Sequence, residues 1–367
     1  AAEIDQAILG ALDAQKIVDT LLTRMRDIVP CDWVCVALVD SQIASRARTF
    51  LRDGTPSGQT GEEVAQLRPD EARRLQEHPD SLVVAGEEFP SYLAPLARRG
   101  ASSALILPVF LKEKLSAMIA LGYRGAAVHA EEDILQARQL ADQVAVALSN
   151  AGLIEELENL HWGTLQALAR TIDAKSPWTA GHSERVTDLA LHIGWIMGLS
   201  QKEIDALHRG GLLHDIGKLG IPPDILDKVG KLTAEEFQFM RQHSQIGARI
   251  LEPIAAYANV VPIVLQHHEC YDGSGYPDGV AGEAISLGAR IVTLADVYDA
   301  LKSDRPYREA FSQEQAIKLI KLAGGRQFDP KVVDAFLELM ALGEKGLVLE
   351  PFQPRGAPPP VAASQDS

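Results

Sequence analysis

Two short stretches carry the residue types that could do chemistry: His-Asp-Ile-Gly-Lys at 214–218 and His-His-Glu-Cys-Tyr-Asp-Gly-Ser-Gly-Tyr-Pro at 267–277. An imidazole nitrogen beside a carboxylate, as at His214 and Asp215, can bridge two cations, and the later pair His267 and His268 can complete the second coordination sphere. In outline this is a dinuclear metal site. Eight of the ten histidines fall between His161 and His268, so the imidazoles are concentrated in one half of the chain.

Helices must position these groups. His182 opens an amphipathic run in which Val186, Leu189, Ile193 and Ile196 recur at helical spacing. His214 and Asp215 end the next apolar run, IDALHRGGLL. His243 follows LTAEEFQFMRQH, whose Thr233 and Glu236 form a capping box that starts a helix. His267 and His268 end VVPIVLQ, and Asp296 lies inside the apolar run ARIVTLADVYDAL. A carboxylate in such a run is costly to bury unless it is paired or bound to a metal, so Asp296 is read as a ligand. A lone histidine at a helix end is usually a cap or a satisfied core group, and His161, His192 and His208 are read that way. The set His182, His214, Asp215, His243, His267 and Asp296 differs, because six polar groups on apolar helices need a common partner. Consecutive helical residues point about 100° apart, so one of the His267–His268 pair reaches a given metal unaided. His268 is left between a metal, a substrate and a further ion.

The ordered set GHSERV (181–186), HDIGK (214–218), His243, HHECYDGSGYP (267–277), ADVYDAL (295–301) and DRPYR (304–308) resembles the HD-GYP subgroup of the HD metal-dependent phosphohydrolases, over about residues 160 to 340. The resemblance implies an all-helical domain that hydrolyses cyclic di-GMP. Matched motif by motif, it implies His182, His214, Asp215, His243, His267, His268 and Asp296 as metal ligands, with Lys218, Arg305 and Arg308 holding substrate phosphate. Some members carry a Glu four residues before the His of the GHS motif and hold three metals; Trp178 stands there in this chain. An indole cannot replace a carboxylate ligand, so two divalent ions are expected, with iron or manganese favoured among the metals that such ligands accept.

The chemistry follows from the residues as well. In-line attack on a phosphodiester builds negative charge on the phosphoryl and leaving oxygens, and two cations about 3.5 to 4 Å apart stabilise both and acidify a bridging water. Asp215 is the natural bridge. Lys218 lies one turn beyond His214 and suits a phosphate oxygen. DGSGYPDGVAGE holds four glycines in twelve residues, a loop read as a rigid lip with Tyr276 exposed against substrate or a diguanylate cyclase partner. Arg305 and Arg308 suit a second phosphate. Cys270 is read as a bystander.

The 367 residues, 46% hydrophobic and 23% charged, allow two domains with ample core. A net charge of −15 argues against binding long nucleic acid. Three cysteines without a repeated CxxC pattern fit a reducing, cytoplasmic compartment, and no run of 18 apolar residues or signal-type start marks a membrane segment. The chain begins at Ala1 with no Met, as a fragment would, leaving room upstream for another sensor or an anchor. Residues 1–150 alternate helix and strand: a helix over ILGALDAQKIVDTLLTRMRDIV, strands WVCVALVD and RARTFLRDG, a helix over EEVAQLRPDEARRLQ, and two apolar strands about a turn at Lys112 to Lys114. This pattern resembles a GAF sensor domain. The expected class is therefore an α+β two-domain chain: an α/β GAF-like domain (1–150), a connecting helix (151–175), an all-α HD-type domain (176–345) and a Pro-rich tail (346–367). Ala137, Leu140, Val144, Ala147, Ala151, Ile154, Glu158, His161, Leu165, Leu168 and Ile172 form a heptad-like seam, read as a homodimeric coiled coil over 137–172. Two rival readings stand: a weakly active receptor or scaffold binding a cyclic dinucleotide or cyclase partner, and a hydrolase of another nucleotide such as cyclic GMP-AMP or (p)ppGpp.

Overall fold

The computed structural model describes residues 14–39, 45–53, 61–111, 113–125, 131–175, 180–228, 230–304 and 309–344. Trp178, Arg305, Arg308, the turn residue Lys112 and the Pro-rich tail lie outside them. The chain divides into two units, Ala1–Asn159 and Leu160–Ser367.

The first unit contains α1 (Ala14–Ile28), α2 (Pro69–Glu77), α3 (Ala94–Arg98) and the start of α4 (Glu131–Asp173) around six strands. The strands are β1 (Trp33–Val39), β2 (Arg46–Asp53), β3 (Gly61–Gln66), β4 (Leu82–Ala85), β5 (Ser103–Leu111) and β6 (Lys114–Tyr123), in one antiparallel sheet ordered β3-β2-β1-β6-β5-β4. Alternation sends Val34 and Val36, with Leu105, Leu107, Ile119 and Leu121, to the face covered by α1 and α4. Cys35 and Ala37, with Ile106, Met118 and Ala120, face Leu75, Leu93 and Leu96. Because both faces are covered, the central strands read as unbroken apolar runs.

The expected single helix over EEVAQLRPDEARRLQ is a strand followed by a helix. Glu62 to Gln66 pair with β2 as the sheet edge, and the side chains of Glu63 and Gln66 stay in water. Arg68, ahead of Pro69, is extended, as the proline ring requires, and Pro69 then opens α2.

The second unit is all α: the end of α4, then α5 (His182–Ile196), α6 (Gln201–Leu213), α7 (Pro223–Leu226), α8 (Ala234–Leu251), α9 (Val261–Gln266), α10 (Leu287–Lys302), α11 (Gln313–Leu322) and α12 (Pro330–Glu344). Val186, Ile193, Leu207, Ile263, Ile291, Leu294 and Phe336 form its main core. Reciprocal caps fix two starts, Ser200 with Glu203 on α6 and Thr233 with Glu236 on α8; each cap contributes about 1 kcal/mol. Between α6 and α8 a 3₁₀ turn, Ile216–Gly220, crosses α8 so closely that a Cβ on Gly217 would lie 1.7 Å from the His243 carbonyl oxygen. Only glycine lets the HDIGK turn approach the helix that carries His243.

The seam read as a coiled coil is largely used within the two units. Ala137, Leu140, Val144, Ala147 and Ala151 belong to the sheet-facing core. Leu165 and Ile172 pack against Leu212, Leu213 and Val264. A heptad spacing marks the apolar face of a helix, and here each unit covers its own part of that face. Among the described residues the leucines that α4 leaves in solvent are Leu135, Leu153, Leu157, Leu160 and Leu168.

Candidate metal centre

Four helices and the 3₁₀ turn bring the histidines to one place. His182 starts α5, His214 caps α6, His243 lies within α8 and His267 caps α9; all four are buried, as is Asp215. In three of them the ring Nδ1–H donates to a carbonyl three residues back: His214 to Gly211 at 2.7 Å, His243 to Met240 at 2.6 Å and His267 to Val264 at 2.8 Å. His182 instead donates from Nδ1 to the Asp299 carboxylate at 2.7 Å. Each bond fixes the tautomer that turns an Nε2 lone pair inward, as metal-binding imidazoles require.

Those nitrogens form two groups. His182, His214 and Asp215 offer ligand atoms within 4.8 Å of one another, and so do His243, His267 and His268. Asp215 stands between the groups: Oδ2 lies 3.3 Å from His214 Nε2 and 3.8 Å from His182 Nε2, while Oδ1 lies 3.6 Å from His243 Nε2. Asp296 Oδ1 is 3.3 Å from His182 Nε2. In the second group His243 Nε2 lies 3.3 Å from His267 Nε2 and 3.1 Å from His268 Nε2. Nitrogens at such separations cannot all carry protons, and His214 Nε2 is buried with no hydrogen-bond partner among the described residues. Divalent cations fit this donor set.

The two groups differ in charge. Burial lowers the His182 ring, but hydrogen bonds with Asp296 and Asp299 outweigh it and bring its pKa to about 10, so Nε2 carries a proton that a bound cation would displace. Burial also opposes ionisation of Asp215 and Asp296, yet Lys218 and His214 hold Asp215, and His182 holds Asp296, well below the ordinary carboxylate range. In the other group burial keeps His243 neutral, and burial together with neighbouring imidazoles does the same for His267 and pushes His268 down to about 3. One side presents negative charge, the other neutral nitrogen.

Residues 166–332 match the HD domain family and residues 13–148 the GAF domain family. The chain is 36% identical over 303 residues to the cyclic di-GMP phosphodiesterase response regulator RpfG of Xanthomonas campestris pv. campestris (strain 8004), covering 80% of this chain and 76% of that protein. The chain belongs to the HD-GYP family. It is also 40% identical over 176 residues to the 3'3'-cGAMP-specific phosphodiesterase 3 of Vibrio cholerae serotype O1, across 48% of this chain and 38% of that one. A third relative, the cyclic di-GMP phosphodiesterase of Thermotoga maritima, is 40% identical over 188 residues, half of each chain. The chain thus spans half or less of the length of these last two relatives.

The HD-GYP assignment, with its divalent-metal chemistry, directs attention to the lip. Tyr276 is half-buried, not exposed as its loop position suggested, because its ring stacks on His268 with centroids 4.8 Å apart. Glu269, buried behind it, accepts hydrogen bonds from the backbone N–H groups of Asp278 and Gly279. A Cβ on Gly275 would lie 2.3 Å from the Cys270 nitrogen, so the GYP loop folds directly on the His267–His268 segment. Lys218 is partly buried with its ammonium on Asp215 Oδ2. Cys270 belongs to neither ligand group.

Three supporting residues went unread in the sequence. Asp299 accepts from His182 and is itself held by Arg185, whose Nε and Nη2 donate at 2.6 and 3.0 Å. Asp173 accepts from the backbone N–H and hydroxyl of Ser183 and so seats the start of α5. Lys175 donates to the carbonyls of Lys218, Leu219 and Ile221, pinning the turn after HDIGK. The i,i+3 pair Asp296 and Asp299 in an apolar run was the one available signal, since both point to one helix face.

Proposed function

We propose that this chain hydrolyses cyclic di-GMP to linear pGpG at a two-metal site controlled by its GAF unit. The observation that carries the reading is Asp215, whose two oxygens face different histidine groups. In the simplest allocation His182, His214, Asp215 and Asp296 would hold one ion, and Asp215, His243, His267 and His268 would hold the other. Iron or manganese suits this mixture of imidazole and carboxylate. Ions there supply charge stabilisation and an acidified water. Asp215 keeps the two sites at a fixed separation, and Lys218, partnered with that carboxylate, presents an ammonium to the phosphoryl oxygen on which charge develops. Tyr276 on His268 forms the wall against which substrate lies. Arg305 and Arg308 follow α10 in sequence and are assigned to the second phosphate.

The names of the relatives support a cyclic dinucleotide substrate, and the similarity to a 3'3'-cGAMP-specific enzyme favours cyclic GMP-AMP as the second reading. The GAF unit and α4 are the regulatory part. A homodimer through the 137–172 helix would use the solvent-facing Leu153, Leu157 and Leu160, and the GYP loop is the surface assigned to a cyclase partner. No helix among the described residues is long and apolar enough to cross a membrane.

The test couples aerobic and anaerobic metal analysis to product chromatography. Close to two ions per chain with pGpG formation, followed or not by GMP, is the expected result. A fully loaded protein that leaves cyclic di-GMP intact while cutting cyclic GMP-AMP moves the assignment to the second reading.

A further inference from the structure

Beside the metal ligands lies a cavity of about 220 Å³ lined by Arg241, His267, His268, Tyr276, Thr293 and Val297. Arg241, Tyr276 and His268 border it, and the Phe237 ring lies against the Arg241 guanidinium. The Phe237 ring, the Arg241 guanidinium, the Tyr276 ring and the His268 imidazole follow one another. The guanidinium carbon sits 4.8 Å from the Phe237 centroid and 4.7 Å from that of Tyr276, and Tyr276 in turn lies on His268. Phe237 and Arg241 are one helical turn apart on α8, and both are exposed.

An exposed arginine on a helix usually pairs with a carboxylate or points into solvent. Arg241 does neither in the expected way: its guanidinium lies over the rings of Phe237 and Tyr276, and among the described residues no carboxylate or carbonyl engages its N–H edge. Two aromatic rings against one guanidinium restrict the fork, and its N–H donors border the cavity. A planar pair of donors beside a stacking surface matches a purine base, and guanine offers two acceptors, O6 and N7, at the spacing that an arginine fork satisfies with two hydrogen bonds. Adenine presents one acceptor and an amino donor along the same edge, so it would leave one N–H unpaired.

We propose that Arg241 is a specificity-determining residue: clamped by Phe237 and Tyr276, it reads the O6/N7 edge of a guanine whose phosphate is seated at the metals. This rests on the reading of a cyclic dinucleotide as substrate. It accounts for the position of the GYP loop beside α8, since Tyr276 connects the base-reading arginine to the ligand His268.

The test compares the metal-loaded wild type with Arg241→Lys and Arg241→Ala. Turnover is followed on cyclic di-GMP, cyclic di-AMP and bis(p-nitrophenyl) phosphate, and binding of GMP against AMP by calorimetry. Lysine keeps the charge without the fork. The guanine-over-adenine ratio in kcat/KM is expected to fall about tenfold or more in both variants, the size of one lost bidentate base contact. The GMP-over-AMP binding ratio should fall with it. The proposal is overturned if Arg241→Lys keeps the full ratio, which would make the contact one of charge alone. It is equally overturned if the base-free diester loses as much activity as cyclic di-GMP, which would place Arg241 on the phosphate. Wild type that cuts the base-free diester but no cyclic dinucleotide refutes the function itself, a result separate from either of these.

Discussion

The two halves of the candidate metal centre differ at His182, whose support is carboxylate where the other rings lean on backbone carbonyls. In the first half His182 is held by carboxylates, Asp296 and Asp215 beside its ring nitrogen, Asp299 behind it and Arg185 behind Asp299, while His214 donates to the Gly211 carbonyl. The His243 half is held by backbone carbonyls at the ends of helical turns, and its ligands are neutral imidazoles. Carboxylate support makes a ligand more basic and gives the site negative charge, whereas a carbonyl only orients the ring. The first half therefore suits a hard cation held firmly. The second relies on Asp215 alone for charge, so the affinities of the two halves are coupled through one residue. The lip and Arg241 lie beside the second half, the less charged side.

The largest expected effect removes the residue that the halves share. Asp215→Ala should empty both sites, seen by metal analysis, and lower turnover at least about a hundredfold, the scale of losing a central electrostatic group. Turnover above a tenth of wild type would break the bridging assignment. Asp299→Asn tests the asymmetry. It should weaken metal binding about 10- to 100-fold in the His182 half alone, giving one firmly bound ion in titrations and activity restored by excess metal. Equal weakening of both ions would dissolve the distinction between the halves.

The smallest effect lies outside both. His208 is buried, stacked on Trp162 at 4.1 Å, and burial with the nearby Arg209 charge lowers its pKa to about 4. A histidine with a folded pKa below its unfolded value of about 6.5 stabilises the fold fully above that pH. The contribution is lost as pH falls toward 4. His208→Gln should therefore flatten the decline in melting temperature between about pH 6.5 and 4 relative to wild type while leaving metal content near two. An unchanged slope would mean that His208 protonates freely in the fold.

Residue type made the ligand set legible. Histidines and carboxylates embedded in apolar helical runs are too costly to bury without a shared partner, and the structure brings His182, His214, Asp215, His243, His267, His268 and Asp296 into one cluster. Asp299, Asp173, Lys175 and Arg241 were not legible in the same way. Each is an ordinary charge near a helix end or surface, and its partner lies on a different element. Arg241 meets Tyr276 from 35 positions away, and Asp299 meets His182 from the far side of the domain sequence.

Periodicity had a similar limit. It marked the apolar face of α4 but not what covers it, since the same spacing serves a partner helix or the chain's own cores. It also suggested a helix over residues that became β3, because an edge strand with polar side chains has weak alternation of its own and is specified by the strand it pairs with. What the sequence by itself determined was the chemistry: which atoms could bind cations, how they are spaced along helices, and where glycine must allow close approach. What only the tertiary structure decided was their division into a carboxylate-held half and a carbonyl-held half, with an arginine clamped beside them. That division depends on contacts between residues far apart in the chain, and local propensity carries no record of such contacts.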